Sequence, residues 1–148
     1  GAHLFDALLR DFFIDKHIGR HFKLKPDEMN SFLQVLTIFR NACAHDERLY
    51  NLRALRRNMT PNSIRTMPIH QAMMIPLNKS NNPICGKNDL FAIVLIFKTM
   101  LPKSSFNRFF QALKKQMDIL STSLVTISIA DVEKEMGFPA NWTSIKSI

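Results

Sequence analysis

Within one short stretch, Arg40-Asn41-Ala42-Cys43-Ala44-His45, the chain places a guanidinium, a carboxamide and an imidazole. Side chains of these types can move protons and hold an anion. Histidine as a type exchanges its proton near neutral pH, arginine stays charged and offers a planar fork to phosphate oxygens, and an amide can orient an imidazole or bond an oxygen. Metal-free cleavage of an RNA phosphodiester asks for such abilities: a base for the 2′-OH, an acid for the departing 5′-oxygen and a cation for the charged phosphorane. A plainer reading stands beside it, in which Arg40 is a buried ion-pair partner and His45 a cation that satisfies the last carbonyls of a helix.

The element that must carry these residues is a helix. Pro26 suits a first-turn position, Asp27 and Glu28 suit the positive end of the helix dipole, and the amphipathic pattern runs on to about Ala44. Its expected core stripe is Met29, Phe32, Leu36, Phe39 and Cys43, flanked by Leu33 and Val35. Asn30, Gln34, Thr37, Asn41, His45 and Arg48 then fall on the opposite face, with Asn41 one helical turn before His45. Arg40 is the odd member, about 40° from Leu36 and about 140° from His45, so it is expected to project into the apolar stripe. An unpaired charge there is costly. Either Arg40 reaches round to the site, or the stripe faces a cleft or a partner at that level, or Asp46 or another acid neutralises it.

The rest of the chain reads as further helices around a long connection. Leu4, Phe5, Leu8, Leu9, Phe12 and Phe13 give an amphipathic first helix ending near Gly19. Leu49–Asn58 is short, basic and helical in propensity. Met59–Pro83 holds Pro61, Pro68, Pro76 and Pro83 and is an irregular connection, with Ile64, Met67, Ile69, Met73, Met74, Ile75 and Leu77 available to pack on the body. Asp89–Leu101 is apolar nearly all round, as in a buried helix, and Pro102 stops it. Ser104 or Ser105 can cap the next helix, which runs to about Thr122 with Phe106, Phe109, Phe110, Leu113, Met117 and Leu120 as its dry face. Ser128 with Asp131 resembles a capping arrangement, and Gly137 with Pro139 ends that short helix. Phe138 and Trp142 read as a core plug. There is no internal repeat.

Composition bounds the partners. Twelve Phe and eight Met against four Gly favour packed helices, and 46% hydrophobic residues support one core in a single domain, residues 1–148. The formal charge of +8 suits a polyanion, or simply a soluble surface. Cys43 and Cys85 have no metal-ligand spacing; Cys43 reads as a small core hydrophobe, Cys85 as an incidental loop residue, and both fit a reducing cytosol. His3, His17, His21 and His70 form no ligand set, so no metal or other cofactor is expected, and no Walker, Gly-rich phosphate or GxSxG pattern occurs. No apolar run is long enough to span a bilayer. The chain opens on Gly1-Ala2 without Met, which reads as a start inside a longer protein with Gly1 a cloning remnant.

Arg40, Asn41 and His45 fit the pattern of the HEPN superfamily: an arginine, a polar residue beside it and a histidine farther along the helix. The longer string Arg40 to Asn51, RNACAHDERLYN, is similar to the RNxCAHxxRL(W/Y)N signature of the Abi-like family of AbiD and AbiF type. Met136-Gly137-Phe138-Pro139-Ala140-Asn141-Trp142 resembles the MGFPxNW ending of the same family. The resemblance implies the C-terminal portion of a longer protein, folded as an all-α HEPN-like bundle with the irregular connection in its middle. It implies a metal-independent endoribonuclease acting in phage abortive infection in the cytoplasm. Two copies would form one shared cleft, because one histidine cannot be acid and base in the same step. In that scheme His45 is the general acid or base, Arg40 clamps the phosphate and Asn41 orients the imidazole. Arg48, Tyr50, Asn51 and Arg53 are the expected RNA-binding residues. For these the plainer readings are a solvated charge run continuing through Arg56 and Arg57, a packed Tyr50, and Asn51 as a cap or turn residue. A phage or antitoxin protein is a further expected partner. The rival readings are a non-catalytic RNA-binding, dimerisation or sensor module, and a dimerisation domain serving a catalytic N-terminal half.

Overall fold

The computed structural model describes residues 24–148, among which there are five α-helices, a closing 3₁₀ turn and no β-strand. The helix expected from Leu4 to Gly19 lies outside the described residues, as do His3, His17 and His21. Helix α1 spans Pro26–Ala44, as its sequence signals predict. The Glu28 carboxylate accepts the Lys25 backbone N–H at 2.7 Å and so satisfies a donor that the helix start leaves open. The buried face is Met29, Phe32, Val35, Phe39 and Ala42. That face is rotated from the predicted stripe: Leu36 is only half-buried and Cys43 is exposed, so Cys43 is not a core residue.

The connection between α1 and the second half is irregular but anchored. Leu49–Asn58 forms no helix, contrary to its propensity. The Ala54 N–H instead donates to the Asn88 carbonyl at 2.7 Å, the Asn62 N–H returns to the Ala54 carbonyl, and Leu55 pairs with Pro61 around a turn whose Met59 has φ of 62°. These non-local bonds satisfy a backbone that is buried at Ala54, and they win over a weak local preference. One short helix interrupts the stretch, α2 at Pro68–Ala72. Ile64, Met67, Met73 and Ile75 enter the core as expected, whereas Met74 and Leu77 are exposed.

His70 in α2 is buried and doubly bonded. Its Nε2 lies 2.9 Å from the Gly86 carbonyl, which can only accept, so Nε2 carries the proton and Nδ1 accepts the Met67 N–H at 3.0 Å. The imidazole therefore closes the start of α2 in the way a Glu closes a capping box.

Helix α3, Leu90–Met100, is the central element, with Phe91 to Ile96 all buried. It packs against α1 on one side and against α4, Lys103–Ser123, on another, while α4 also meets α5, Ile129–Glu135. The dry face of α4 contains Phe106, Phe110 and Met117 as predicted, but Pro102 takes the N-cap position and Ser104 and Ser105 lie within the first turn. Ser128 caps α5 through the Asp131 N–H, as its sequence suggests.

The C-terminal motif closes the core. Phe138 packs on Phe91 with ring centroids 5.1 Å apart and meets Trp142 edge-on at 5.3 Å; Trp142 continues to Phe110 and donates its indole N–H to Glu133 at 2.8 Å. The Asn141 amide donates to the Met73 carbonyl and fixes the end of α2. Gly137 ends α5 at φ of 82°, and a Cβ there would come 2.3 Å from the Asp89 carboxyl.

Two measurements check this packing. Gly137→Ala must strain a left-handed position and collide with Asp89, so it is expected to lower the unfolding free energy by at least about 2 kcal/mol in chemical denaturation. For His70, burial holds the pKa below the ordinary 6.5. On acidification the unfolded chain binds this proton first, so the His70 contribution is complete above 6.5 and is lost as pH falls below it. Asp89 is pushed above 3.8, chiefly by burial, and acts in the opposite sense, losing stability as pH rises through its folded value. Urea unfolding between about pH 7.5 and about pH 5.5 should show stability falling toward acid in the wild type and a flatter profile in His70→Gln.

Candidate active site

The last turn of α1 presents the residues singled out by type and spacing. Arg40, Asn41 and His45 are all exposed. Arg40 does not enter the apolar stripe, because the buried face is centred near Phe32 and Phe39; on a helical projection Arg40 lies about 100° from that centre, Asn41 nearly opposite it and His45 about 120° away on the other flank. Among the described residues the ion pairs are Arg65 with Asp27 and Lys114 with Asp118, so Asp46 does not neutralise Arg40.

His45 is the C-cap, and the turn that follows is a Schellman motif. The Glu47 N–H reaches the Ala42 carbonyl at 2.9 Å, the Asp46 N–H reaches Cys43 at 3.4 Å, and Asp46 has φ of 52°. Asp46 thus occupies a left-handed position usually filled by glycine. This turn ends the helix directly after the imidazole and holds His45 at the rim of the last turn. The sequence carries a signal for this turn, since Asp tolerates the left-handed conformation better than most residues; the role of Asp46 is thus to end the helix and not to neutralise Arg40.

Downstream of the turn the chain is pinned by its apolar members. Leu49 and Leu52 pack on the core while Arg48, Tyr50 and Asn51 face solvent, so Tyr50 is not a packed residue. Arg53 differs from its expected companions: its guanidinium donates to the Glu135 carbonyl at 2.8 Å, at the negative end of α5. Its charge also favours the ionised form of buried Asp89, against a burial that raises that pKa. Arg53 therefore links the segment after the first motif to the start of the second. The structure thus places Arg40, Asn41 and His45 exposed at the C-terminal end of α1 with Arg40 and His45 on opposite flanks, sets Arg48, Tyr50 and Asn51 on the exposed chain that follows, and commits Arg53 to a helix end.

Other chemistry in the described residues is sparse. No group of three or more His, Cys, Asp or Glu residues among them could hold a metal ion, and none of the described helices is long and apolar enough to cross a membrane. Cys85 lines an apolar cleft of about 490 Å³ beside Pro139, and burial followed by the nearby Asp89 charge pushes its thiol up to about 11, which keeps it protonated and a poor nucleophile at neutral pH.

The described fold and site define an all-α chain whose polar motif lies on the exposed end of a core helix. A family model described as Abi-like protein matches residues 3–51, which include α1 and the whole Arg40–Asn51 string, in agreement with the resemblance that this string carries. The C-terminal motif lies beyond the matched residues. No curated protein and no solved structure matches the chain.

Asp46→Gly relieves the left-handed strain at the end of α1, so it is expected to raise stability by about 0.5–1 kcal/mol, read as an increase in the denaturation midpoint. A loss of stability on that change would mean that the Asp46 side chain makes an interaction outweighing the strain.

Proposed function

We propose that this protein is a metal-independent endoribonuclease of the HEPN type that acts in the cytoplasm during abortive infection by phage. The observation that carries the reading is that Arg40, Asn41 and His45 are all exposed at the C-terminal end of α1, within a segment that matches the Abi-like family model. In the proposed reaction the His45 imidazole of one copy takes the 2′-OH proton, which frees that oxygen to attack the adjacent phosphorus. The imidazolium of a second copy protonates the departing 5′-oxygen, and a 2′,3′-cyclic phosphate and a free 5′-hydroxyl result. Arg40 neutralises the phosphorane oxygens, and Asn41 bonds the phosphate or orients the imidazole.

A pair of copies suits the geometry. Within one chain Arg40 and His45 leave the helix about 140° apart, so a phosphate is met more readily when the cation and imidazoles come from two helices facing each other. The exposed Arg48, Tyr50 and Asn51 would then extend the cleft to neighbouring phosphates and bases. A phage or antitoxin protein is the proposed controlling partner.

The test is cleavage of single-stranded RNA by purified protein in EDTA. His45→Ala and Arg40→Ala should each reduce the rate by roughly 10²–10⁴-fold while circular dichroism and thermal midpoint stay unchanged. Wild-type protein that binds RNA without cutting it would leave a binding or sensing module, and cleavage surviving both substitutions would move catalysis elsewhere.

A further inference from the structure

A second polar feature lies outside the Arg40–His45 turn. Ser63, Arg65, Asn78, Asn82, Lys87 and Asn88 line an open cleft of about 520 Å³. Three separate stretches of the connection meet there, and backbone bonds fix them: the Ile64 N–H donates to the Lys87 carbonyl at 2.8 Å, and the Asn78 N–H to the Asn82 carbonyl at 2.8 Å.

The cleft is rich in donors. It has two cations and no carboxylate among its lining residues. Lys87 is half-buried, and its ammonium meets the neutral hydroxyl of Thr66 at 3.0 Å. Removing a cation from water without an anionic partner is unfavourable, and an incoming anion offsets that cost. Burial correspondingly holds the Lys87 pKa below its ordinary value. Arg65 pairs with Asp27 through a single nitrogen at 3.2 Å, which leaves the rest of its fork for a second acceptor. Asn78 spends its side-chain oxygen on the N–H groups of Ser80 and Asn82, so its amide nitrogen, a donor, is its remaining polar group. Ile84, exposed beside these residues, gives a base or ribose an apolar surface.

We infer that this cleft binds the phosphate of a nucleotide, either free or within an RNA strand, at a site separate from Arg40 and His45. The size agrees with ligand sites, which span roughly 300–1,000 Å³. Lys87 and the remaining nitrogens of Arg65 supply charge-assisted bonds to phosphate oxygens, and the Asn78 carboxamide nitrogen can bond a base edge. This inference does not depend on RNA cleavage: an inactive chain would retain the cleft.

Titration of the whole chain with adenosine monophosphate and, separately, with a short oligouridylate tests it by amide-detected NMR. The expected result is saturable shifts of the side-chain amides of Asn78, Asn82 and Asn88, weakened about ten-fold or more in Lys87→Gln and in Arg65→Gln, and kept in Arg40→Ala. Shifts from both probes assign a free nucleotide as a ligand, and shifts from the oligouridylate alone assign the strand. Absence of shifts with both probes, or shifts undiminished in both variants, overturns the inference. Arg65 is exposed, so its variant decides the question even if Lys87→Gln fails to fold.

Discussion

The Asp89 carboxylate is almost wholly removed from solvent, and the fold is arranged around keeping it bonded. It accepts the Gly86 N–H through both oxygens, at 2.9 and 3.1 Å, and the Ala92 N–H at 3.0 Å, capping the helix that runs through the core. Gly86 in turn holds the His70 imidazole through its carbonyl, and Gly137 lies directly against the carboxyl group. A buried carboxylate is costly unless its acceptors are filled, and here the Gly86 and Ala92 amides and the Arg53 charge offset part of the desolvation, which still holds the Asp89 pKa above its ordinary value. The connection, α3 and the C-terminal motif therefore meet at one acid. Among the described residues no buried side-chain polar atom lacks a partner, consistent with a polar network that is closed rather than strained.

This arrangement bears on the candidate site through two routes. Helix α1 rests on α3, whose start Asp89 caps, and this contact sets which face of α1 is dry. The chain after the Schellman turn is tied by Arg53 to the end of α5, one residue before the C-terminal motif begins. Arg40, Asn41 and His45 thus stand at a helix end whose flanking chain is anchored, and a site on a helix is held more closely than one on a loop. The proposed reaction needs such positioning, because proton transfer to and from a phosphodiester requires hydrogen-bond distances in the reacting complex.

Much of this was legible in the residues. Pro26 with Asp27 and Glu28 marked the start of α1, the unbroken apolar run with Pro102 marked α3, and the Phe106-to-Met117 spacing marked the dry face of α4. The phase of α1 was not, because Leu33, Val35, Leu36 and Ile38 give it apolar residues over a wide arc; the core around α3 takes in Phe32, Val35 and Phe39 and leaves Leu36 half-buried and Cys43 exposed. That choice frees Arg40 from the conflict its position implied. Leu49–Asn58 departs from its helical propensity because its partners, the Asn88 carbonyl for the Ala54 N–H and the Glu135 carbonyl for the Arg53 guanidinium, are far along the chain and no local pattern announces them. Asp89 was visible as the start of α3, but its contact with Gly137 depends on tertiary packing. The Arg65–Lys87 cleft was invisible for the same reason, being assembled from three segments whose sequence suggests only turns.

The central functional claim is a cleft that needs an imidazole from each of two copies, and subunit mixing tests it most directly. After wild-type chains are equilibrated with an equal amount of His45→Ala chains and allowed to exchange, the account predicts RNA cleavage at about a quarter of that of the same total amount of wild type, because only dimers with two intact copies cut. Activity at about half, in proportion to the wild-type chains present, would contradict it by showing that each copy works alone.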